Sequence, residues 1–345
     1  MPPKQKFIIL GAGINGLSCA YRLHQRYPDA HLEIISDRFS PDTTSDVAAG
    51  LWEPFLLGDT PTELVRKWSH ESYHYFHDLW RSGRADECGI SLVPYVAVTA
   101  KVDGLEEPIW KDFAFGYGEL SAQRLDELGR EHGVKYVSGN EFVTFTCEPT
   151  RLLQFYTSAL QRSTGVTFRR QKITTLGEIL PAADTVPNAI VINCLGLGSS
   201  QVLGDDGGSL AATRGQIRRV EAPWMFQVLI SDAGYVIPNT GAVTLGGTKQ
   251  KGDCDLLVRE GDSEGISRGC CALVPGLGRA PVVGDLVGLR PTRSSVRLEL
   301  EWIDGVVPVV HNYGHGGGGI TLAWGCAGHV LSLVQPLING PGSKL

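Results

Sequence analysis

The chain has 345 residues, of which 42% are hydrophobic and 20% charged, with a formal net charge of -6. This length admits two domains or one elaborated domain around a large core, and the mildly acidic balance offers no basic footprint for nucleic acid or an anionic membrane. No apolar run approaches the roughly 18 residues that span a bilayer, so no membrane association is expected, and no metal is expected from eight cysteines that form no CxxC pair.

The first element is the apolar Phe7-Ile8-Ile9-Leu10, followed by Gly11-Ala12-Gly13-Ile14-Asn15-Gly16 and then Leu17 to Leu23. This reads as strand, glycine turn and helix. Gly11 permits the tight turn, Gly13 lets the backbone approach a pyrophosphate, and Gly16 lets the helix pack on the strand. The helix N-terminus then offers free N–H groups to an anion. A second apolar run, Leu32 to Ser36, ends at Asp37, about 20 residues past the glycines, where a ribose-binding acid belongs. The chain enters this strand directly, with no cleavable leader, so synthesis and folding inside the cell are expected.

Residues 42–50 are small and hydroxyl-rich, without helix or strand period, and suit a segment lying against a cofactor. Thr60 to Arg81 carries apolar residues at spacings of three and four, predicting an amphipathic helix; His70, His74 and His77 fall on one face of it and read as solvated. Alternation predicts a strand over Ser91–Val98, a helix follows over Pro149–Arg162, and the apolar Ala189–Cys194 returns the chain to a parallel sheet. Between Thr213 and Lys249 the pattern changes to short alternating runs (216–220, 227–230, 235–237 and 243–249), predicting an antiparallel sheet from a second domain. Cys270 and Cys271 sit in a helix-like stretch, and the cysteines as a set read as reduced thiols.

The final unit, Val306–Val310, a glycine run from Gly316 to Gly319, and the apolar 320–338, reads as strand, loop and helix. Four successive glycines suit a loop pressed against a planar ring, with the next helix start facing a partial negative charge. The last three residues, Ser343-Lys344-Leu345, form a peroxisomal address that an import receptor would read.

Five motifs in order, Gly11 to Ser18, Thr43 to Gly50, Arg214-Gly215-Gln216, Gly288-Leu289-Arg290-Pro291 and Asn312 to Gly317, together with the terminal tripeptide, resemble the D-amino-acid oxidase and D-aspartate oxidase family. The resemblance runs nearly end to end. It implies an α/β architecture in which a discontinuous Rossmann-like FAD-binding domain (1–55, 140–205 and 286–345) is joined to an antiparallel-sheet substrate-binding domain (56–139 and 206–285). It also implies non-covalent FAD, molecular oxygen as acceptor, and deamination of a D-amino acid to a 2-oxo acid, ammonia and hydrogen peroxide. Oligomeric state is left open.

Carried over residue by residue, the resemblance puts the adenine and ribose end of FAD on Gly11, Ala12, Gly13, Ile14, Asn15, Gly16, Asp37 and Arg38, with Ile173 on the adenosine half. Thr43, Thr44 and Ser45 take the pyrophosphate or ribityl region, Ala49, Gly50 and Leu51 line the flavin, and Gly316, Gly319, Ile320 and Thr321 meet its pyrimidine edge. Arg290 is the arginine that clamps the substrate carboxylate, Tyr235 hydrogen-bonds to it, and the Gly317 carbonyl accepts from the substrate amine. A planar guanidinium meets a carboxylate with two parallel hydrogen bonds and so fixes the substrate's orientation. No protein acid or base is required, because the flavin takes the hydride.

The substrate's side chain divides the family. Lys249 stands where the neutral enzymes have an apolar residue, and its place beside Tyr235 would bring an ammonium to a β-carboxylate. Against this, Phe55 replaces a histidine of the aspartate branch, an arginine of that branch would fall near Ser231, and Glu53 replaces a glutamine of the neutral enzymes. A carboxylate there repels an acidic substrate unless paired, for instance with Lys249. On balance the sequence favours D-aspartate, with a neutral D-amino-acid oxidase as the alternative. Glycine or sarcosine oxidation is a nearer rival than a flavin dehydrogenase with a non-oxygen acceptor or a non-enzymatic FAD- or nucleotide-binding protein.

Overall fold

The computed structural model describes residues 5–179, 189–202 and 209–339; the terminal Ser343-Lys344-Leu345 lies outside them. The glycine turn joins β1 (Lys6–Leu10) to α1 (Ile14–Arg26), and β2 (His31–Ser36) lies parallel to β1. Phe7 to Leu10 are fully buried, as in a strand covered on both faces. A short 3-10 turn, Thr44–Val47, stands where no regular element was expected. It is held by a capping box between Thr43 and Asp46.

The amphipathic helix is α2 (Thr62–Arg81), which buries Val65, Trp68, Ser69, Ser72, Tyr73, Phe76 and Leu79 and leaves His70 and His74 exposed. After α3 (Ala85–Cys88), the strands β3 (Ile90–Thr99), β4 (Phe115–Glu119) and β5 (Ser138–Cys147) pair antiparallel, with α4 (Ala122–His132) between the last two. Then α5 (Pro149–Gln161) leads to β6 (Val166–Arg170), β7 (Ala189–Asn193) and the short α6 (Ser199–Val202).

The four alternating runs become β8 (Ala211–Val220), β9 (Val228–Ser231), β10 (Gly234–Pro238) and β11 (Val243–Gly246), with β12 (Gln250–Lys251) and α7 (Glu260–Leu273) following. The 22-residue β13 (Val282–Ile303) has no clean alternation to announce it. Its first half pairs with β8 and its second half with β14 (Val307–His315). Through it the strands form one continuous path, β4-β5-β3-β9-β10-β11-β8-β13-β14-β7-β1-β2-β6, antiparallel around β10 and β8 and parallel from β14 to β6. The last helix is α8 (Gly319–Asn339). Residues Gly319–Ile338 are long and apolar enough in composition to cross a membrane, which the run lengths did not reveal. Half of that stretch is buried in the fold, where Leu322, Ala323, Cys326, Ala327, Val330 and Val334 are within the core and the helix packs on α1 and α2.

A candidate cofactor and substrate site in one cavity

A cavity of about 910 Å³ runs from Asp37, Arg38 and Ile173 past the glycine turn to Tyr235, Lys249 and Arg290. Its volume is at the upper end for ligand sites. Most residues singled out in the sequence line it; Gly16 and Thr321 do not. A Cβ at Gly16 would stand 1.9 Å from the Gly11 carbonyl oxygen, so this glycine serves the packing of α1 on the turn. The buried Thr321 hydroxyl accepts from the Glu53 N–H at 3.2 Å and donates to the Glu53 carbonyl at 2.9 Å, which fixes the segment that forms one wall.

At one end, α1 begins at Ile14 with no acidic residue in its first turn and no side chain from its own N-cap, Gly13. Ser45 Oγ accepts the Ile14 N–H at 3.0 Å and ties the 3-10 turn to the helix start. Leu195, Gly196 and Leu197, just past β7, also line the cavity here, as do Gln171 and Lys172. Sequence reasoning missed them because they share no motif with the glycine turn.

In the middle, Gly316 adopts φ +51 and donates to the Pro291 carbonyl. The glycine run is explained by packing against its neighbours rather than by a flat ring alone. A Cβ at Gly316, Gly317 or Gly318 would meet Leu56, Phe55 or Leu57 at 2.1, 2.4 and 2.8 Å respectively, whereas at Gly319 nothing lies within 3.9 Å. Residues 311–315, expected in the loop, belong to β14. Asn15 Nδ2 lies 3.3 Å from His315 Nδ1, while Asn15 Oδ1 and His315 Nε2 are buried without a hydrogen-bond partner. Burial alone pushes the His315 imidazole down to about 4, so it is neutral at ordinary pH. Both residues line the cavity. Two orphaned polar atoms beside a glycine turn and a helix start whose own N-cap supplies no side chain fit a polar, partly anionic, extended cofactor such as FAD.

At the other end, Arg290 lies across β8 over Gly215, where an added Cβ would come within 2.3 Å of Nη1. Nη1 donates to the Thr248 carbonyl at 3.1 Å, and no carboxylate pairs with this guanidinium among the described residues. The Tyr235 phenol lies within the field of the Arg290 charge and across Gly246, opposite it on β11. Burial raises the phenol's pKa and keeps it neutral. Two glycines on neighbouring strands thus make the beds for the two side chains.

Lys249 is not on a strand as expected; β11 stops at Gly246, and Lys249 sits in the connection to β12 with Nζ 4.2 Å above the Phe55 ring. Nor does it form an ion pair with Glu53 among the described residues. The Glu53 carboxyl accepts from the Tyr95 hydroxyl at 2.7 Å. Burial lowers the Lys249 pKa, with Arg290 and Lys101 pushing the same way and Glu53 opposing.

The family model described as FAD dependent oxidoreductase, DAO, matches residues 6–333. Among curated proteins, the chain is 38% identical to the D-aspartate oxidase of Homo sapiens over 97% of this chain and 96% of that one. It is 31% identical to the D-amino acid oxidase of Dugesia ryukyuensis over 96% and 97%. Among solved structures, glycine oxidase from Bacillus cereus matches with a TM-score of 0.73 at 17% identity, covering 99% of each chain; this likeness is one of fold. With that match and a cavity suited to the cofactor, the chain belongs to the DAO family of FAD dependent oxidoreductases.

Proposed function

We propose that the protein oxidises D-amino acids to 2-oxo acid, ammonia and hydrogen peroxide, preferring acidic substrates, D-aspartate foremost. The observation that carries this reading is Arg290, a guanidinium without an acidic partner among the described residues, lining the same cavity as Tyr235 and Lys249. The 38% identical relative named D-aspartate oxidase supports the acidic preference.

In this reading, bound FAD supplies the hydride acceptor. Gly11 to Asn15, Asp37, Arg38 and Ile173 hold its adenosine side, Thr43 to Ser45 and Ala49 to Leu51 its middle, and Gly316, Gly319 and Ile320 the ring end, with Thr321 steadying the wall through Glu53. Arg290 and Tyr235 bind and orient the substrate's α-carboxylate, the Gly317 carbonyl accepts from its amine, and Lys249 attracts a side-chain carboxylate across Phe55. Residues 1–55, 140–205 and 286–345 form the cofactor domain and the remainder the substrate domain. Oxygen is the second substrate, and the terminal Ser343-Lys344-Leu345 directs the protein to the peroxisome.

The test is peroxide release by the FAD-loaded protein with D-aspartate, D-alanine and their L forms, beside Lys249→Ala. Preference for D-aspartate that drops roughly tenfold to hundredfold in the variant, the worth of one charged contact, is the expected result. Preference for D-alanine that is indifferent to the substitution would make the enzyme a neutral oxidase.

A further inference from the structure

Glu53 is a carboxyl deep in the cavity wall and held from three sides. Thr321 grips its backbone at both N–H and carbonyl. Tyr95, 2% exposed on β3, donates to Oε1 at 2.7 Å. No cation lies within ion-pair distance of it among the described residues. Its remaining oxygen, Oε2, has no hydrogen-bond partner among the described residues, and the partly exposed side chain lines the cavity that Lys249 and Phe55 also line.

The charged and titratable groups around it come from several elements. Tyr95 stands on β3, Tyr235 on β10, Lys249 before β12, Arg290 on β13 and the neutral His315 on β14. Asp232, on the turn between β9 and β10, is engaged by Thr99, the Ala100 N–H and Lys101. Burial raises the Glu53 carboxyl above the ordinary carboxylate range, and the Tyr95 hydrogen bond and the Lys249 charge only partly oppose it. A neutral carboxyl in this pose accepts from Tyr95 at Oε1 and presents an O–H donor at Oε2.

We propose that Glu53 is a specificity-determining residue: as a neutral carboxyl it donates a hydrogen bond from Oε2 to the side-chain carboxylate of an acidic substrate, and as a carboxylate it repels that group. In the first state the end of the cavity offers Lys249 and a hydrogen-bond donor to an anion. In the second, Glu53 cancels the field of Lys249 and the preference moves towards neutral side chains. The proposal rests on the acidic reading of this site.

The test measures kcat/KM of the holoenzyme for D-aspartate and D-alanine from mildly acidic to mildly alkaline pH, in the wild type, Glu53→Gln and Tyr95→Phe. The ratio of the two cancels the titration of the common amine and α-carboxylate. In the wild type the aspartate-to-alanine ratio falls roughly tenfold to hundredfold as pH rises through one ionisation, the worth of a charge-assisted hydrogen bond. Glu53→Gln, which donates but cannot ionise, keeps the ratio high and flat. Tyr95→Phe, which removes a donor favouring the carboxylate, moves the midpoint to higher pH. A flat wild-type ratio, or a Glu53→Gln variant that follows the wild-type curve, overturns the proposal. Malonate and acetate binding, followed by the flavin absorbance without turnover, separates the two readings. If D-aspartate is not oxidised, the substrate reading fails. The role of Glu53 then stands if malonate tightens at low pH in the wild type alone, and falls if the two proteins respond alike.

Discussion

Replacing Gly215 by alanine tests the carboxylate clamp without touching the clamping residue. The new Cβ would stand 2.3 Å from Arg290 Nη1 and 2.5 Å from both Cζ and Nη2. Ordinary carbon contacts are roughly 3.5–4.0 Å, so the guanidinium must withdraw by about 1 Å or more and give up its 3.1 Å bond to the Thr248 carbonyl. The backbone at Gly215 does not use a positive φ, so alanine fits the strand. Because the clash is with the end of a flexible side chain, the fold loses only about 1 kcal/mol with that hydrogen bond. The stiffer unfolded chain returns about 0.4–1 kcal/mol. A misplacement of about 1 Å costs on the order of 100-fold in rate. The expected outcome is therefore a drop of about 100-fold in kcat/KM for D-aspartate and D-alanine alike, with flavin content unchanged and Tm within about 2 °C of the wild type. Peroxide release, flavin absorbance and a thermal melt check the three quantities on one preparation. A variant within about threefold of wild-type kcat/KM would remove Arg290 from the clamp, and a lost cofactor or collapsed Tm would make Gly215 a structural glycine; either refutes the reasoning.

Gly16→Ala places a Cβ 1.9 Å from the Gly11 carbonyl oxygen, a backbone clash that no rotamer relieves; a cost of about 2 kcal/mol or more and loss of bound FAD are expected, read from Tm and flavin content. His315 is held neutral down to about pH 4, whereas an unfolded histidine titrates near 6.5. The unfolded chain therefore takes the proton first, and stability present above pH 6.5 is lost as pH falls to about 4, by about 3 kcal/mol. Urea midpoints of the apoprotein across that window, compared with His315→Gln, should show a shallower acid limb in the variant; parallel limbs would refute this. Arg214 is fully buried and paired with Asp262 at 2.7 Å, so Asp262→Asn, which leaves that charge uncompensated, should cost about 3 kcal/mol in a denaturant melt.

The sequence by itself determined what local chemistry can determine. The glycine turn between β1 and α1 was legible because Gly11 takes a positive φ and Gly16 packs on the Gly11 carbonyl five residues earlier, and α2 because seven buried side chains recur at helical spacing. Phe7 to Leu10 of β1 and the whole of β7 are buried, and their apolar runs announced a parallel sheet. Arg290 and Tyr235 could be named from motifs, but their meeting depends on β13 and β10 lying on either side of β8 and β11, an order set by strand pairing between distant segments.

Tertiary structure alone decided the remainder. Lys249 was one partner the sequence offered for Glu53; the carboxyl hydrogen-bonds to Tyr95, with the Thr321 hydroxyl on α8 fixing the Glu53 backbone beside β3. The glycine run at 316–318 owes its composition to Phe55, Leu56 and Leu57, about 260 residues earlier in the chain. The apolar α8 is a core helix because α1 and α2 cover it. Periodicity reports which face of an element is apolar; which neighbour covers that face, and which side chain reaches the Glu53 carboxyl, follow only once the whole sheet is assembled.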